Sequence, residues 1–173
     1  MSATAIVETT QYLTFKLGEE IFALDIAKVR EVLDFTSITK VPRTPEFMRG
    51  VINLRGSVVP VVDMRLKFGM TLTEKTVNTC IIIVEVTVDG ERIILGTLAD
   101  SVQEVLDLDP EQIEPAPKIG TRLKTDFIKG MGKRDTGFII ILDVDKIFSA
   151  EELTLVQDVG EDAVPGSQSQ AVK

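Results

Sequence analysis

The segment Phe47-Met48-Arg49-Gly50-Val51-Ile52-Asn53-Leu54-Arg55-Gly56-Ser57-Val58-Val59-Pro60-Val61-Val62-Asp63 decides the reading of the fold, because the chain carries a second version of it. Laid on the later part without gaps, Phe47-Met48-Arg49-Gly50 matches Phe127-Ile128-Lys129-Gly130. Val58, Val59, Val61, Val62 and Asp63 then fall on Phe138, Ile139, Ile141, Leu142 and Asp143, and Phe68 falls on Phe148. Upstream, Val29-Arg30-Glu31-Val32-Leu33-Asp34 matches Val102-Gln103-Glu104-Val105-Leu106-Asp107. Each half therefore reads as a hairpin, then V-x-E-V-L-D, then F-x-[K/R]-G, then an apolar strand that ends in Asp and runs into a short helix. Apolar β segments share letters by chance, but four features kept in one order argue for internal duplication.

The hairpins follow from alternation and turn chemistry. Leu13, Phe15 and Leu17 occupy one face of Gln11 to Leu17, and Gly18-Glu19 turns the chain into Ile21 to Leu24. Cys80 to Val88 is rich in β-branched residues and runs into Asp89-Gly90, a favoured pair for a two-residue primed turn, before Arg92 to Leu98 returns. Ser57 to Val62 and Gly137 to Leu142 are short apolar runs readable as strands covered on both faces, with Pro60 marking a position that gives no ladder donor. Helical pattern is scarce, and Ala27 to Leu33 and Val144 to Leu155 are the candidates. Such short strands in two duplicated halves point to two small antiparallel barrels or curled sheets. Halves this small bury little alone, so they should share a hydrophobic seam, with Val58 to Val62 and Phe138 to Leu142 as contributors. Residues 1–10 and 158–173 are small, polar and turn-rich and are expected to be mobile, flanking a domain over 11–157 whose second repeat starts near residue 79.

Composition narrows the function. A chain of 173 residues buries roughly 70% of its unfolded surface, enough for a real core. Its 19 Lys and Arg stand against 27 Asp and Glu, a formal net charge of −8, the wrong sign for a nucleic-acid groove or an anionic membrane surface. The absence of His removes the usual neutral-pH acid/base group and the commonest metal ligand. One cysteine, Cys80, permits no internal disulfide and fits a reducing, cytosolic compartment. No apolar run has the length of a membrane span, and Met1 to Glu8 lacks the pattern of a secretory signal.

Catalytic motifs fail one by one. Gly130-Met131-Gly132-Lys133 lacks the first glycine of a phosphate loop, since Phe127 stands in its place. Asp143 and Asp145 read better as helix caps than as cation ligands, so no metal is expected. Cys80 has no His to activate it, and one Tyr with no Trp is a poor sugar platform. What remains is Arg55, set between Leu54 and Gly56 in an otherwise apolar stretch. It is either half of an internal salt bridge to Asp63 or Glu31, or a guanidinium presented at a cleft for a partner's carboxylate or carbonyl groups. Glu31 carries the same two readings, its plainer one being a solvated face.

These residues also form a wider pattern. Tyr12 through Gly18, Leu24-Asp25-Ile26 to Val32, Val41-Pro42 with Pro45 and Phe47, Gly50 to Gly56 and Pro60 to Arg65 together resemble the CheW family of bacterial chemotaxis coupling proteins. The likeness continues through Gly96, Val102 to Leu106, Ile113 with Pro115-Ala116-Pro117, Phe127 to Gly130 and Ile139 to Val144, covering roughly residues 11 to 156. The resemblance implies two small five-stranded antiparallel β-barrels sharing a hydrophobic core, with a few short helices. It implies a scaffold with no catalysis and no cofactor, cytoplasmic and recruited to receptor arrays. Its partners would be the regulatory domain of the histidine kinase CheA and the cytoplasmic helical-hairpin tip of chemoreceptors. On matching positions the receptor-facing groove would include Val29, Glu31, Gly50, Arg55 and Val105, while the kinase-facing residues are not placed. A CheW-like module recognising a different receptor or kinase outside chemotaxis is the second reading, and a hydrolase using groove carboxylates a third.

Overall fold

The computed structural model describes residues 9–115, 127–134 and 137–154. Among them, four hairpins form where the turn residues allow it. β1 (Thr10–Leu17) returns as β2 (Glu20–Asp25) through Gly18, whose φ is +64°. β4 (Met48–Leu54) returns as β5 (Ser57–Val62), and β10 (Ile128–Arg134) as β11 (Gly137–Leu142). β6 (Cys80–Val88) returns as β7 (Glu91–Ala99), with Asp89 and Gly90 both left-handed, as the primed turn requires. Single strands β3 (Val29–Asp34), β8 (Ser101–Leu108) and the two-residue β9 (Ile113–Glu114) complete the set.

The strands make two sheets, ordered β8-β1-β2-β11-β10-β9 and β3-β6-β7-β5-β4. The chain is mostly β, as expected, but each sheet mixes both halves of the sequence. The first takes its β1–β2 hairpin from the first half and β8, β10 and β11 from the second, and the other sheet does the reverse. The exchange gives each sheet one parallel pairing, β2 with β11 and β5 with β7, in otherwise antiparallel surroundings. The repeats of the sequence and the sheets of the fold are thus different units.

Geometry confirms the duplication in detail. The ladder slips by one residue at Arg49 and again at Lys129, the variable position of each F-x-[K/R]-G. Backbone N–H groups of Asp63 and Asp143 donate to the carbonyls of Phe47 and Phe127, both at 2.7 Å. Each Asp then caps the next turn by accepting from an amide two residues on, Arg65 N at 3.1 Å and Asp145 N at 3.2 Å. The caps bear out the reading of Asp143. Asp145 has another task, accepting from Lys28 and from the Thr87 amide.

The core has three parts, and strand alternation assigns residues to them. Phe15, Leu17, Leu24, Val62, Met64, Ile82, Val84, Leu95 and Leu142 belong to a large cluster shared by the two sheets. Val59, Val61, Ile81 and Ile83 fill one sheet's own interior, and Tyr12, Ala23, Ile139 and Ile141 the other's. The apolar runs 58–62 and 138–142 therefore give only alternate residues to the seam. Aromatic contacts cross between halves: Phe47 packs on Phe148 with ring centres 5.2 Å apart, and Phe68 on Phe127 at 4.8 Å. Since Phe47 matches Phe127 and Phe68 matches Phe148 in the repeat, the two contacts are the same pair related by an approximate twofold.

Two sequence expectations are corrected. Ala27 to Leu33 is not helical: a single 3-10 turn at Ile26–Lys28, capped by Asp25, leads into strand β3. Val29, Val32 and Leu33 have helical spacing, but pairing with β6 satisfies the backbone instead. Val144 to Leu155 is not one helix either: a 3-10 turn at Val144–Lys146 is followed by a bend, and a new helix starts at Ala150 behind the Ser149 cap. Leu155 lies outside the described residues, as do 1–8 and 158–173, whereas Thr10 is already in β1.

Candidate functional site

An open cleft of about 310 Å³ lies where β3 and the β4–β5 hairpin, the opposite edges of their sheet, approach each other. Leu54, Val58, Val59, Ile83 and Ile94 form its apolar walls, and Arg30, Glu31 and Arg55 its charged rim. Arg55 and Gly56 make the two-residue turn between β4 and β5, with φ of +52° and +89°, and the Gly56 amide donates to Asn53 Oδ1 at 2.8 Å. An Arg held in the left-handed region costs about 1–2 kcal/mol relative to its ordinary conformations, a strain that clusters at functional positions.

The Arg55 guanidinium donates to the Glu31 carboxylate across the cleft, so the salt-bridge reading of Arg55 holds with Glu31 as partner. Asp63 is engaged elsewhere. It is fully buried and accepts from Arg49 at 3.1 Å, the Thr73 amide at 2.9 Å and the Thr73 hydroxyl at 2.8 Å. The presentation reading of Arg55 is compatible with its ion pair, because that side chain is 69% exposed and Glu31's 30%. An ion pair this open contributes under about 1 kcal/mol and can be exchanged for a partner's groups.

Glu31 and Arg55 are the two candidate residues that the fold brings together. Val29 is half-buried and packs on the shared core. Gly50 is buried with φ +142°; a Cβ there would stand 2.7 Å from Ile38 Cγ2 and 2.8 Å from the Thr39 carbonyl carbon, with the Thr39 oxygen nearer still. Gly130 repeats this, its Cβ position lying 2.5 Å from Ile113 Cγ2 and 3.0 Å from the Glu114 carbonyl oxygen. The glycine of F-x-[K/R]-G is thus a packing requirement in both halves. Val105 is 45% exposed on β8, in the other sheet from the cleft.

Sequence reasoning passed over Arg30, which lines the cleft beside Glu31, and a second ion pair. Arg134 Nη2 donates to Glu104 Oε2 at 2.5 Å; both residues lie in the sheet that does not carry the cleft, Glu104 on the V-x-E strand β8 and Arg134 at the end of β10. The repeat itself was the available signal, since it lays Glu104 on Glu31. Phe138, equivalent to Val58, is 51% exposed on that side. A further hollow of about 310 Å³ opens in the same sheet beside Tyr12, Leu108, Ile113, Lys129 and Ile141. There burial, with the charge of Asp25 behind it, pushes the Tyr12 phenol above its ordinary value. Among the described residues there is no cluster of three metal-ligating side chains, and no helix is long and apolar enough to cross a membrane.

Comparison with known proteins places this geometry. Residues 11–152 match the family model described as the CheW-like domain. The chain belongs to the CheW family. A chemotaxis protein CheW from Klebsiella aerogenes is 38% identical over 149 residues, covering 86% of this chain and 87% of that protein. Chemotaxis protein CheW of Thermotoga maritima is 35% identical over 152 residues, covering 86% and 93%. The crystal structure of the scaffolding protein TtCheW from Thermoanaerobacter tengcongensis superposes with a TM-score of 0.73 at 39% identity, over 84% of this chain and 96% of that one. The fold expected from the resemblance is therefore the CheW fold, and the family is one of chemotaxis scaffolds and adaptors.

Proposed function

We propose that this CheW-family chain is the coupling adaptor between chemoreceptors and the kinase CheA, binding the receptor's cytoplasmic hairpin tip and the kinase's regulatory domain at the same time. The observation that carries the reading is the Glu31–Arg55 cleft: apolar walls, two opposite charges at the rim, and an Arg fixed in a strained turn. An amphipathic helix of a receptor tip buries its apolar stripe on Leu54, Val58 and Val59 while Glu31 and Arg55 set its register. The half-buried Val29 supports the cleft from the core side, Gly50 acts by holding the β4 bulge under Thr39, and Val105, exposed on the other sheet, would meet the receptor outside the cleft. The protein works as a scaffold recruited to membrane-associated arrays, with no bond made or broken on it.

Signal transfer needs a coupling free energy between the two surfaces. The exchanged sheets supply a route, because each contains strands from both halves and a shift at one is felt at the other. Titrating the chain with CheA regulatory domain, with and without receptor hairpin, tests the reading. The expected result is binding of both and a kinase affinity that changes when the hairpin is present. Loss of all binding, or turnover of a small molecule by the chain alone, contradicts it. A CheW-like module serving another receptor system would bind neither of these two partners.

A further inference from the structure

In a regular strand successive side chains leave on opposite faces, so Arg30 and Glu31 should not line one cleft. They do so because β3 slips against β6 at that point: Val29 pairs with Val84 and Glu31 with Ile83, leaving Arg30 as the extra residue of a bulge. The bulge turns a second guanidinium toward the cleft that already has Arg55 on its rim. Arg30 Nη1 donates to Glu85 Oε1 at 2.6 Å, and Arg92 Nη1 lies 3.6 Å from Glu85 Oε2. The charged lining of the cleft is thus Arg30 and Arg55 against Glu31, two guanidinium groups to one carboxylate, on a chain whose net charge is −8. The matching position in the other half is Gln103, on a strand that slips against β1 in the same region, so an arginine in the bulge is peculiar to this half.

We infer that Arg30 is a specificity-determining residue of this cleft: with Arg55 it selects a docking helix whose apolar row is flanked by carboxylates, and disfavours one with a basic or neutral flank. The inference rests on the docking reading above and deepens it, since an adaptor without a hairpin site has no use for the selection. Both arginines are already held by carboxylates that remain more than half covered, so a partner carboxylate meets pre-oriented guanidinium groups and offsets the excess positive charge.

The test uses the full chain and a soluble chemoreceptor cytoplasmic hairpin, titrated calorimetrically, together with the same hairpin whose exposed tip carboxylates have been changed to amides. Arg30→Gln places in the bulge the residue that the other half carries there, and its melting temperature is measured alongside. The expected result is about a fivefold loss of affinity for the acidic hairpin at low salt, narrowing at high salt, with little difference against the amide hairpin. Equal binding of wild type and Arg30→Gln, with Arg55→Glu still impaired, overturns the role of Arg30 and leaves the docking site standing. A loss as large against the amide hairpin also overturns it, since the effect is then structural. No binding of the hairpin by wild type overturns the docking reading and the inference together.

Discussion

Reversing Arg55 to Glu separates docking from folding. In the fold it replaces an attraction to Glu31 by a repulsion, but the Arg55 side chain is mostly in solvent. Exposed pairs of this kind are worth under about 1 kcal/mol, so the stability loss should be about 1 kcal/mol, or about 2–4 °C in Tm. The turn is unaffected, because Gly56 and the Asn53 bond that closes it are untouched. At a desolvated rim the same reversal sets two carboxylates against an acidic helix and should cost on the order of 2 kcal/mol or more, about 30-fold in Kd. Calorimetry with the receptor hairpin and a parallel thermal melt read the two quantities. Adding Glu31→Arg restores the internal pair and the lost stability but leaves the cleft's charges exchanged, so hairpin binding stays weak. If Arg55→Glu instead unfolds the protein, or leaves hairpin affinity unchanged, the argument from the exposed pair is wrong.

Other perturbations act through packing. Asp63→Ala leaves the Arg49 guanidinium and the Thr73 donors without their carboxylate and should cost about 3–5 kcal/mol in denaturant unfolding. Gly50→Ala should destabilise the fold as well as any partner binding, through φ +142° and the contact with Thr39; a normal melting curve would argue against that packing role. Val59→Asp or Ile139→Asp buries a charge in a sheet interior and should abolish the cooperative transition seen by circular dichroism. The helix that starts at Ala150 is latched by Glu152 on Lys67, whose ammonium also sits over Phe47 and Phe148. Burial pushes the Glu152 carboxyl up, but Lys67 and Ser149 more than offset it and hold it below the usual carboxylate range. A depressed folded value means the latch contributes above the unfolded carboxylate range and is lost as pH falls through the folded value. Melts from pH 7 down to pH 3 should show a component that disappears in Glu152→Gln.

Local elements were legible because their causes are local. Asp89-Gly90 and Gly18-Glu19 set two hairpins, and the bounds of Ser57–Val62 and Gly137–Leu142 can be read directly from apolar runs between Gly or Ser and Asp. The repeat was legible too, and the structure adds to it the matching bulges at Arg49 and Lys129. The exchange of hairpins between sheets was not, because similarity within a chain says nothing about which copies pair. Ala27 to Leu33 misled because a bulged strand loses strict alternation, and that same bulge hid Arg30 from the candidate site. Glu31 and Arg55 stood out as odd charges in apolar surroundings, but their juxtaposition depends on the curl of a sheet whose edges are β3 and β4. Gly50 looked like a surface position and is a buried one, because the Thr39–Val51 bridge that covers it joins segments separated by a proline-rich loop.

The most direct test of the adaptor account is simultaneous occupancy. The purified chain is mixed with a chemoreceptor hairpin and a CheA regulatory domain and the mixture is sedimented. The account predicts one species containing all three components, lost on Arg55→Glu. Two mutually exclusive pairs, or a chain that sediments alone, would contradict it.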